Sequence, residues 1–344
     1  MNEEAQKKIV RVFTSFSSVE TFQETFTQGF RSADSETEIH FNKSGPCSLA
    51  VVVNFSNSFG FVWGKNLKII KWLMEPNVHG RLNWRYTYTH SGIYSQIYSH
   101  SASPKSKREY LSPPLVPSHV QALEPNELLP GKVKQISAIG SVQTALPFHA
   151  VRKKLLDAIE NSPELEIEVF GKGRKFIENK LDGLRKYRYS IAIENSLTAN
   201  YWTEKLTDCF LSMTVPIYLG APNVSEYFPA ESMVIVSQED LSTGLRELVS
   251  RLSAEDYGKR IPFLLESRRL VLEQYNFGLK IAKIFAEMQD ENSTRKAFSR
   301  VWTLSTLIFM GYEIAASARR FLNLLDLGLG QRKRVRETSV QEDL

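Results

Sequence analysis

The first hundred residues alternate short apolar runs with polar stretches. The apolar runs are rich in β-branched residues, and a polar segment of helix length, near residues 22–30, separates the first two of them. Strands separated by helix-length segments are typical of βαβ units, so a largely parallel sheet is expected here. We predict strands at residues 9–16, 38–41, 48–55 and 67–73.

A second series of strands and helices begins after residue 131. Before it, residues 92–117 are rich in Ser, Tyr and Pro and are predicted to be loop, and residues 118–131 add two prolines and a glycine. Apolar residues at Val151, Leu155 and Ile159 have helical spacing. The predicted strands are 134–139, 165–170, 188–193, 215–219 and 233–236, and the predicted helical segments are 148–161, 180–184, 202–212 and 264–288, the last leading to 297–325.

These patterns predict an α/β protein with two Rossmann-like domains that face each other across a cleft. We place the N-terminal domain at residues 1–125, the C-terminal domain at residues 126–290 and a helical extension at residues 291–344. A chain of 344 residues is long enough for two buried cores. Ligands of open α/β sheets bind outside the carboxyl ends of the strands, so candidate site residues are expected directly after strands.

Composition excludes several classes of protein. Hydrophobic residues make up 42% and charged residues 24% of the chain, which is the balance of a soluble globular protein. Cys47 and Cys209 are far apart, so neither a disulfide framework nor a cysteine zinc site is expected. The six histidines lack paired metal-ligand spacing, and Asp34-Ser35-Glu36 lies in a polar loop, so we expect no metal site.

Positive charge is concentrated near the C-terminus. Residues 295–336 hold nine basic and two acidic residues, a net charge of +7, whereas the whole chain has +5. The remainder is therefore net acidic, which disfavours a nucleic-acid-binding body. The mostly apolar segment 301–318 has 18 residues, the short limit for a membrane span. Two interpretations stay open: a helix packed on the domains, or an interfacial helix whose basic end meets anionic lipid.

The N-terminus lacks the apolar segment of a secretory signal, so a cytoplasmic protein is expected. If the tail meets lipid, the chain would be peripheral on the inner face of the membrane.

The most informative segment is 187–220. A buried strand delivers Glu194 and Asn195 to its carboxyl end, and a loop leads to a helix whose first turn contains Thr203, Glu204 and Lys205. Helix N-termini favour anions, and a lysine there adds a full positive charge, so a nucleoside diphosphate fits this site. In the alternative interpretation, Glu204 only offsets the helix dipole and Lys205 is a solvated surface lysine.

This segment resembles the α-1,3-fucosyltransferase family. In that family a strand is followed by E-N-S, four variable residues, Tyr, one residue and T-E-K, and the strand after the helix contains P-x-x-x-G. The similarity is densest over residues 132–240. The matching residues, present without a gap, are Glu194, Asn195, Ser196, Tyr201, Thr203, Glu204, Lys205, Pro216 and Gly220.

The resemblance implies the GT-B fold and GDP-fucose as the donor, with no cofactor besides this substrate. It implies that Lys205 contacts the diphosphate and that Glu204 bonds hydroxyls of the donor. Asn195 and Tyr201 would line the donor pocket, and Glu194 is counted among the donor-binding residues. Arg152 matches a phosphate-binding basic residue that precedes the motif in the family; an arginine on a solvated helix face is the alternative.

The resemblance also implies inversion at the sugar in a single displacement, which requires a general base for the acceptor hydroxyl. Glu75 is the candidate, because the apolar run 67–73 ends just before it and Pro76 prevents the strand from continuing. The alternative is a carboxylate paired at the surface with Lys71 or Arg81.

The expected function is transfer of L-fucose from GDP-β-L-fucose to a glycan hydroxyl. The family suggests an α-1,3 linkage to an N-acetylglucosamine-containing saccharide of a bacterial surface polysaccharide, with the variable segment 81–107 forming the acceptor wall. A GT-B transferase with another nucleotide sugar stays open, because no residue in the sequence identifies the fucose methyl group. A non-catalytic glycan- or nucleotide-binding protein is the other alternative, and nucleic-acid binding through the basic tail is not expected.

Overall fold

Two parallel sheets form the frame of the protein in the computed structural model. The strands, in chain order, are β1 (Ile9–Phe13), β2 (Glu38–Phe41), β3 (Gly45–Pro46), β4 (Leu49–Val53), β5 (Val62–Lys65), β6 (Lys68–Leu73), β7 (Gln96–Ser99), β8 (Lys107–Arg108), β9 (Lys134–Ile139), β10 (Glu168–Phe170), β11 (Tyr187–Ile193), β12 (Val215–Leu219), β13 (Val234–Ile235) and β14 (Lys296–Ser299). The α-helices are α1 (Val19–Arg31), α2 (Pro125–Leu128), α3 (Pro147–Glu160), α4 (Glu204–Leu211), α5 (Gln238–Ser242), α6 (Leu245–Arg251), α7 (Ala254–Glu273) and α8 (Phe277–Asp290). The structure describes residues 8–14, 19–54, 62–74, 94–100, 107–108, 123–142, 147–290 and 296–299.

The N-terminal sheet has six strands in the order β2-β1-β4-β6-β7-β8, and all of its pairings are parallel. Its central strands β4 and β6 are almost entirely buried, which explains their continuous apolar sequences. The chain passes from β1 to β2 on one side and then to β4 on the other, so strand order reverses between β1 and β4. The predicted α/β class with parallel sheets is confirmed.

Helix α1 packs its aromatic face against α8 from the far end of the described chain. Phe22, Phe26 and Phe30 recur every four residues and are buried. The two helices approach closely at Gly29 and Gly278, because a Cβ at Gly278 would lie 2.1 Å from the carbonyl oxygen of Phe26. The last helix thus contacts the N-terminal half, whereas the domain boundaries at 125 and 290 stay a prediction.

The predicted helical stretch 264–288 is wrong in one respect, since it consists of two helices. Helix α7 ends at Glu273 and α8 begins at Phe277. The side chain of Asn276 accepts a hydrogen bond from the backbone N–H of Leu279 at 3.1 Å, which starts the new helix. This break lets α8 turn back onto α1.

The C-terminal sheet has five parallel strands in the order β10-β9-β11-β12-β13. Strand order reverses between β9 and β11, and such a reversal opens a crevice at the carboxyl ends of the strands. The strand predicted at 165–170 covers only Glu168–Phe170, because Pro163–Leu165 form a 3-10 turn and Glu166 follows in a left-handed conformation, φ 51°.

A third sheet, β14-β5-β3, was not predicted from the sequence. Strand β14 pairs antiparallel with β5, so a segment that follows α8 lies against the N-terminal half. The apolar segment 301–318 and the basic cluster 332–336 lie outside the described residues. Within the described residues, no helix has the length and apolarity needed to cross a membrane.

Candidate functional site

Three elements bring charged side chains to the carboxyl ends of β9 and β11. Arg152 lies on α3, which follows β9; Glu194 and Asn195 directly follow β11. Lys205 lies in the first turn of α4. The structure therefore brings these predicted residues together beside the strand-order reversal, where ligands of such sheets bind.

Glu194 is a buried carboxylate with both oxygens engaged. It is 0% exposed, and its Oε1 accepts a hydrogen bond from the backbone N–H of Thr203 at 2.7 Å. Its Oε2 accepts from the Thr203 hydroxyl, also at 2.7 Å. Burial raises the pKa of Glu194. The residue thus fixes the start of α4, since Thr203 is the N-cap of that helix.

Lys205 and Glu204 form an ion pair in the first turn of α4. The Lys205 ammonium lies 3.2 Å from Glu204 Oε1 and 3.6 Å from Glu194 Oε2, and it donates to the Thr203 hydroxyl at 3.1 Å. Burial alone would raise the pKa of Glu204, but Lys205 and Lys180 lower it to about 2. Glu204 is therefore an ionised hydrogen-bond acceptor at neutral pH.

Lys180 supplies a second cation on the other side of the helix start. Its ammonium lies 2.5 Å from Asp208 Oδ2 and donates to the backbone carbonyl of Glu204 at 3.4 Å. Burial alone would lower the pKa of Lys180, but Asp208 and Glu204 raise it. Sequence analysis did not single out this lysine, because it lies 24 residues before Glu204 in a separate turn.

Arg152 is buried, with 7% exposure, and joins α3 to the loop after β11. Its Nη1 donates to the side-chain oxygen of Asn195 at 2.6 Å. Its Nε has no hydrogen-bond partner among the described residues. Burial lowers the pKa of Arg152, and the charges of Glu204 and Glu194 oppose that effect. The alternative interpretation, an arginine on a solvated helix face, is therefore wrong.

Asn200 and Tyr201, in the same loop, contact the N-terminal sheet. The Asn200 amide donates to the backbone carbonyl of His100 at 3.2 Å. The ring of Tyr201, which is 2% exposed, lies edge-on to the His100 ring with centroids 5.7 Å apart. Tyr201 therefore lies between the two halves of the molecule.

Gly220, the last residue of the motif, has no room for a side chain. A Cβ at this position would lie 2.2 Å from the Tyr218 hydroxyl and 2.6 Å from Glu194 Cγ. Both side chains are fully buried, so neither can give way cheaply. The final glycine of the P-x-x-x-G pattern is thus required by the packing of Glu194.

The predicted base Glu75 and the acceptor segment 81–107 fall largely outside the described residues, which stop at Met74 and resume at Tyr94. Lys71, considered above as a surface partner of Glu75, is buried at 2% exposure and donates to the backbone carbonyl of Asn54. Lys71 is therefore not a surface residue, and the alternative of an ion pair with it at the surface is wrong.

Among the described residues, no group of three or more His, Cys, Asp or Glu side chains is placed to hold a metal ion. Asp34, the first residue of the DxD-like sequence, pairs with Lys8 at 3.3 Å.

Comparison with known proteins finds similarity to one family. Residues 131–259 match the family model described as glycosyltransferase family 10 (fucosyltransferase), C-terminal. The suspected resemblance to the fucosyltransferases is confirmed.

Relatives match this chain over short segments. The chain is 38% identical over 60 residues to an α-(1,3)-fucosyltransferase of Helicobacter pylori, a match that covers 17% of this chain and 13% of that protein. It is 35% identical over 74 residues to GDP-fucose protein O-fucosyltransferase 3 of Xenopus laevis, covering 21% and 16%. It is 24% identical over 147 residues to a human 4-galactosyl-N-acetylglucosaminide 3-α-L-fucosyltransferase, covering 40% of each. The matched segments thus cover less than half of the length of each of these relatives.

Solved structures show the fold over most of the chain. An α1,3-fucosyltransferase with GDP-fucose superposes with a TM-score of 0.52 at 18% identity, covering 87% of this chain and 96% of that one. An α-glucosyltransferase bound to UDP-glucose and DNA superposes with a TM-score of 0.50 at 10% identity, covering 82% and 99%. The predicted GT-B fold is confirmed.

All six predicted donor-binding residues lie inside the segment that matches the family model, whereas Glu75 lies outside it. Lys180 also lies inside this segment and was missed. His100 was missed as well, and no local signal could have found it, because its contacts with Asn200 and Tyr201 connect residues about 100 positions apart.

Proposed function

We propose that the protein is an inverting glycosyltransferase that moves L-fucose from GDP-β-L-fucose to a hydroxyl group of a glycan. The observation that carries this proposal is the pair of cations, Arg152 and Lys205, at the strand-order reversal of the segment that matches the family model. The proposal is also supported by relatives named as fucosyltransferases.

The two cations would bind the diphosphate of the donor. Arg152 keeps an unpartnered, buried N–H group, and a phosphate oxygen would satisfy it. Lys205 stands at the N-terminus of α4, where the helix dipole also favours an anion. Negative charge grows on the diphosphate as the sugar leaves, so both cations stabilise the transition state more than the ground state.

Glu204 and Asn195 would orient the donor. Glu204 remains ionised at neutral pH. It would accept hydrogen bonds from hydroxyl groups of GDP-fucose, above all those of the ribose. Asn195 is held by Arg152 and lies at the edge of the same site. We assign Glu194 a positioning role instead of donor contact, because its two oxygens are already occupied by Thr203.

Glu75 would act as the general base. It follows Met74 directly in the chain, at the end of a strand of the opposite half. The acceptor oxygen attacks the anomeric carbon from the face opposite GDP, and its proton passes to the Glu75 carboxylate. The bond from the anomeric carbon to the β-phosphate oxygen breaks, and GDP leaves with that electron pair. We expect transfer to continue in EDTA, since Arg152 and Lys205 supply the positive charge.

The test of the donor is calorimetric titration of the full chain with GDP, GDP-fucose, GDP-mannose and UDP-glucose. We expect selective binding of the guanine nucleotides, followed by fucosyl transfer in an acceptor screen. Binding of uridine nucleotides alone would assign the site to another transferase of this fold. Binding of guanine nucleotides without transfer to any acceptor would favour a non-catalytic binding protein.

For the acceptor we propose an N-acetylglucosamine-containing saccharide of a surface polysaccharide, linked α-1,3. The support comes from two relatives, an α-(1,3)-fucosyltransferase and a 4-galactosyl-N-acetylglucosaminide 3-α-L-fucosyltransferase. Another relative is named a protein O-fucosyltransferase, so the screen compares N-acetyllactosamine with Ser- and Thr-containing peptides. Transfer to the peptides alone would overturn this choice.

We also propose that the protein is cytoplasmic and that its basic tail contacts anionic lipid. Truncation at residue 290 is a poor test, because it removes β14, which pairs with β5. The better variant replaces the four basic residues of the cluster 332–336 by glutamine in the full chain. Sedimentation with phosphatidylserine vesicles should fall strongly in this variant, and equal sedimentation would contradict the proposal.

A further inference from the structure

Asn200 occupies an unusual position in the loop between β11 and α4. Its backbone is left-handed, with φ at +65°, a conformation that asparagine tolerates better than most residues. Its side-chain oxygen accepts from the Asn223 amide at 2.8 Å and from the Tyr227 hydroxyl at 2.7 Å. Its backbone N–H donates to the Asn223 side chain at 2.7 Å. The residue is therefore held rigidly within the C-terminal half.

The remaining side-chain group of Asn200 points to the other half. Its amide nitrogen donates to the carbonyl of His100 at 3.2 Å, and the next residue, Tyr201, packs on the His100 ring. Asn200 and His100 are both buried. The loop that ends in Thr203, Glu204 and Lys205 is thus joined to the end of β7.

His100 stands beside the segment that leads to the proposed base. In the pairing of β6 with β7, Leu73 lies opposite Ser99, and Met74 and His100 each directly follow this last pair in the chain. The backbone N–H of Met74 donates to Asn54 at 2.7 Å on the other side. Glu75 is the next residue in the chain.

We propose that Asn200 is a positioning residue that sets the separation between the donor site and the carboxyl ends of β6 and β7. This proposal rests on the proposed function. The donor's anomeric carbon is placed by the C-terminal half and the acceptor by the N-terminal half, so the hydrogen bond from Asn200 to His100 acts on the attack geometry. A displacement of about 1 Å in such a geometry costs up to about 100-fold in rate.

The experiment compares Asn200→Gly with Tyr227→Phe. Glycine accepts the left-handed backbone and removes the amide, whereas Tyr227→Phe removes one bond to the same Asn200 oxygen without touching His100. We expect kcat for transfer to fall about tenfold in Asn200→Gly, with Kd for GDP within about twofold of the wild type. Tyr227→Phe should keep kcat within about twofold.

A second variant and a second readout keep the proposal testable if Asn200→Gly folds poorly. His100→Ala removes the ring that packs on Tyr201 and should lower kcat at unchanged GDP affinity. Hydrogen exchange of residues 96–100 should rise in Asn200→Gly and not in Tyr227→Phe, whether or not transfer is detected.

Two results would overturn the proposal: unchanged kcat together with unchanged exchange at 96–100, or a loss of GDP affinity that accounts for the whole loss of kcat. Failure of the proposed function gives a different pattern, in which the wild type binds no guanine nucleotide. The exchange measurement still decides whether Asn200 holds the two halves together in that case.

Discussion

At the start of α4, Lys180 is paired with Asp208, and Glu204 is paired with Lys205. Near the strand ends of the N-terminal sheet, Lys71 and His100 are buried, and burial lowers their pKa values to about 7 and about 4. The first arrangement suits binding of a charged diphosphate. In the second arrangement, burial weakens the charged form of both groups. The two halves thus differ in their buried charges: those at α4 are held in ion pairs, and in the N-terminal sheet burial lowers the pKa of two basic groups.

The largest expected effect comes from Glu75→Gln, which tests whether proton transfer belongs to the N-terminal half. The substitution keeps the shape and removes the proton acceptor, so kcat should fall about 1000-fold while Kd for GDP stays within about twofold. Steady-state kinetics and calorimetry of the same preparation measure both. If transfer continues at the wild-type rate, another residue is the base.

Lys180→Met tests whether pairing maintains the charged cluster. Asp208 is 0% exposed, and loss of its lysine should lower the free energy of unfolding by about 3 kcal/mol. Denaturant unfolding measures this change. The matched control is Lys259→Met, which breaks the exposed pair with Glu255 and should leave stability almost unchanged. Equal effects of both variants would contradict a structural role for the Lys180 pair.

The pH dependence of stability tests the neutral state of His100. Because its folded pKa is about 4 and the unfolded value is 6.5, the unfolded state binds the proton first as the pH falls. The contribution of His100 should therefore lower the free energy of unfolding by about 2 kcal/mol when the pH falls from 7 to 5. Unfolding of the wild type and of His100→Gln at both pH values isolates the contribution. Parallel pH profiles would show that His100 takes up its proton in the folded protein.

Lys205→Met gives the smallest of these effects, because Arg152 remains at the site. We expect GDP affinity to fall about tenfold, and the loss to shrink at high salt. Calorimetry at two salt concentrations measures it. Lys153→Met on α3, where Lys153 pairs with Asp157 away from α4, is the control. An unchanged Kd for GDP in Lys205→Met would show that the diphosphate does not bind at this helix start.

The secondary structure of residues 187–220 and the charged residues that it carries could be predicted from local sequence patterns. The unbroken spacing from Glu194 to Lys205 predicted a strand, a loop and a helix start with a lysine and a carboxylate in its first turn, and the structure has them. The strand and helix alternation predicted two parallel sheets. These features depend on residues close together in the chain, so their pattern is visible in one dimension.

Only the tertiary structure decided how these residues are used. Glu194 and Arg152 are buried, Lys180 joins the cluster from another turn, and His100 contacts Asn200 across the two halves. The turn between α7 and α8, which brings α8 onto α1, was also invisible to the periodicity. Burial and pairing arise when distant segments pack, and it is this packing that sets each pKa and each distance between reacting groups.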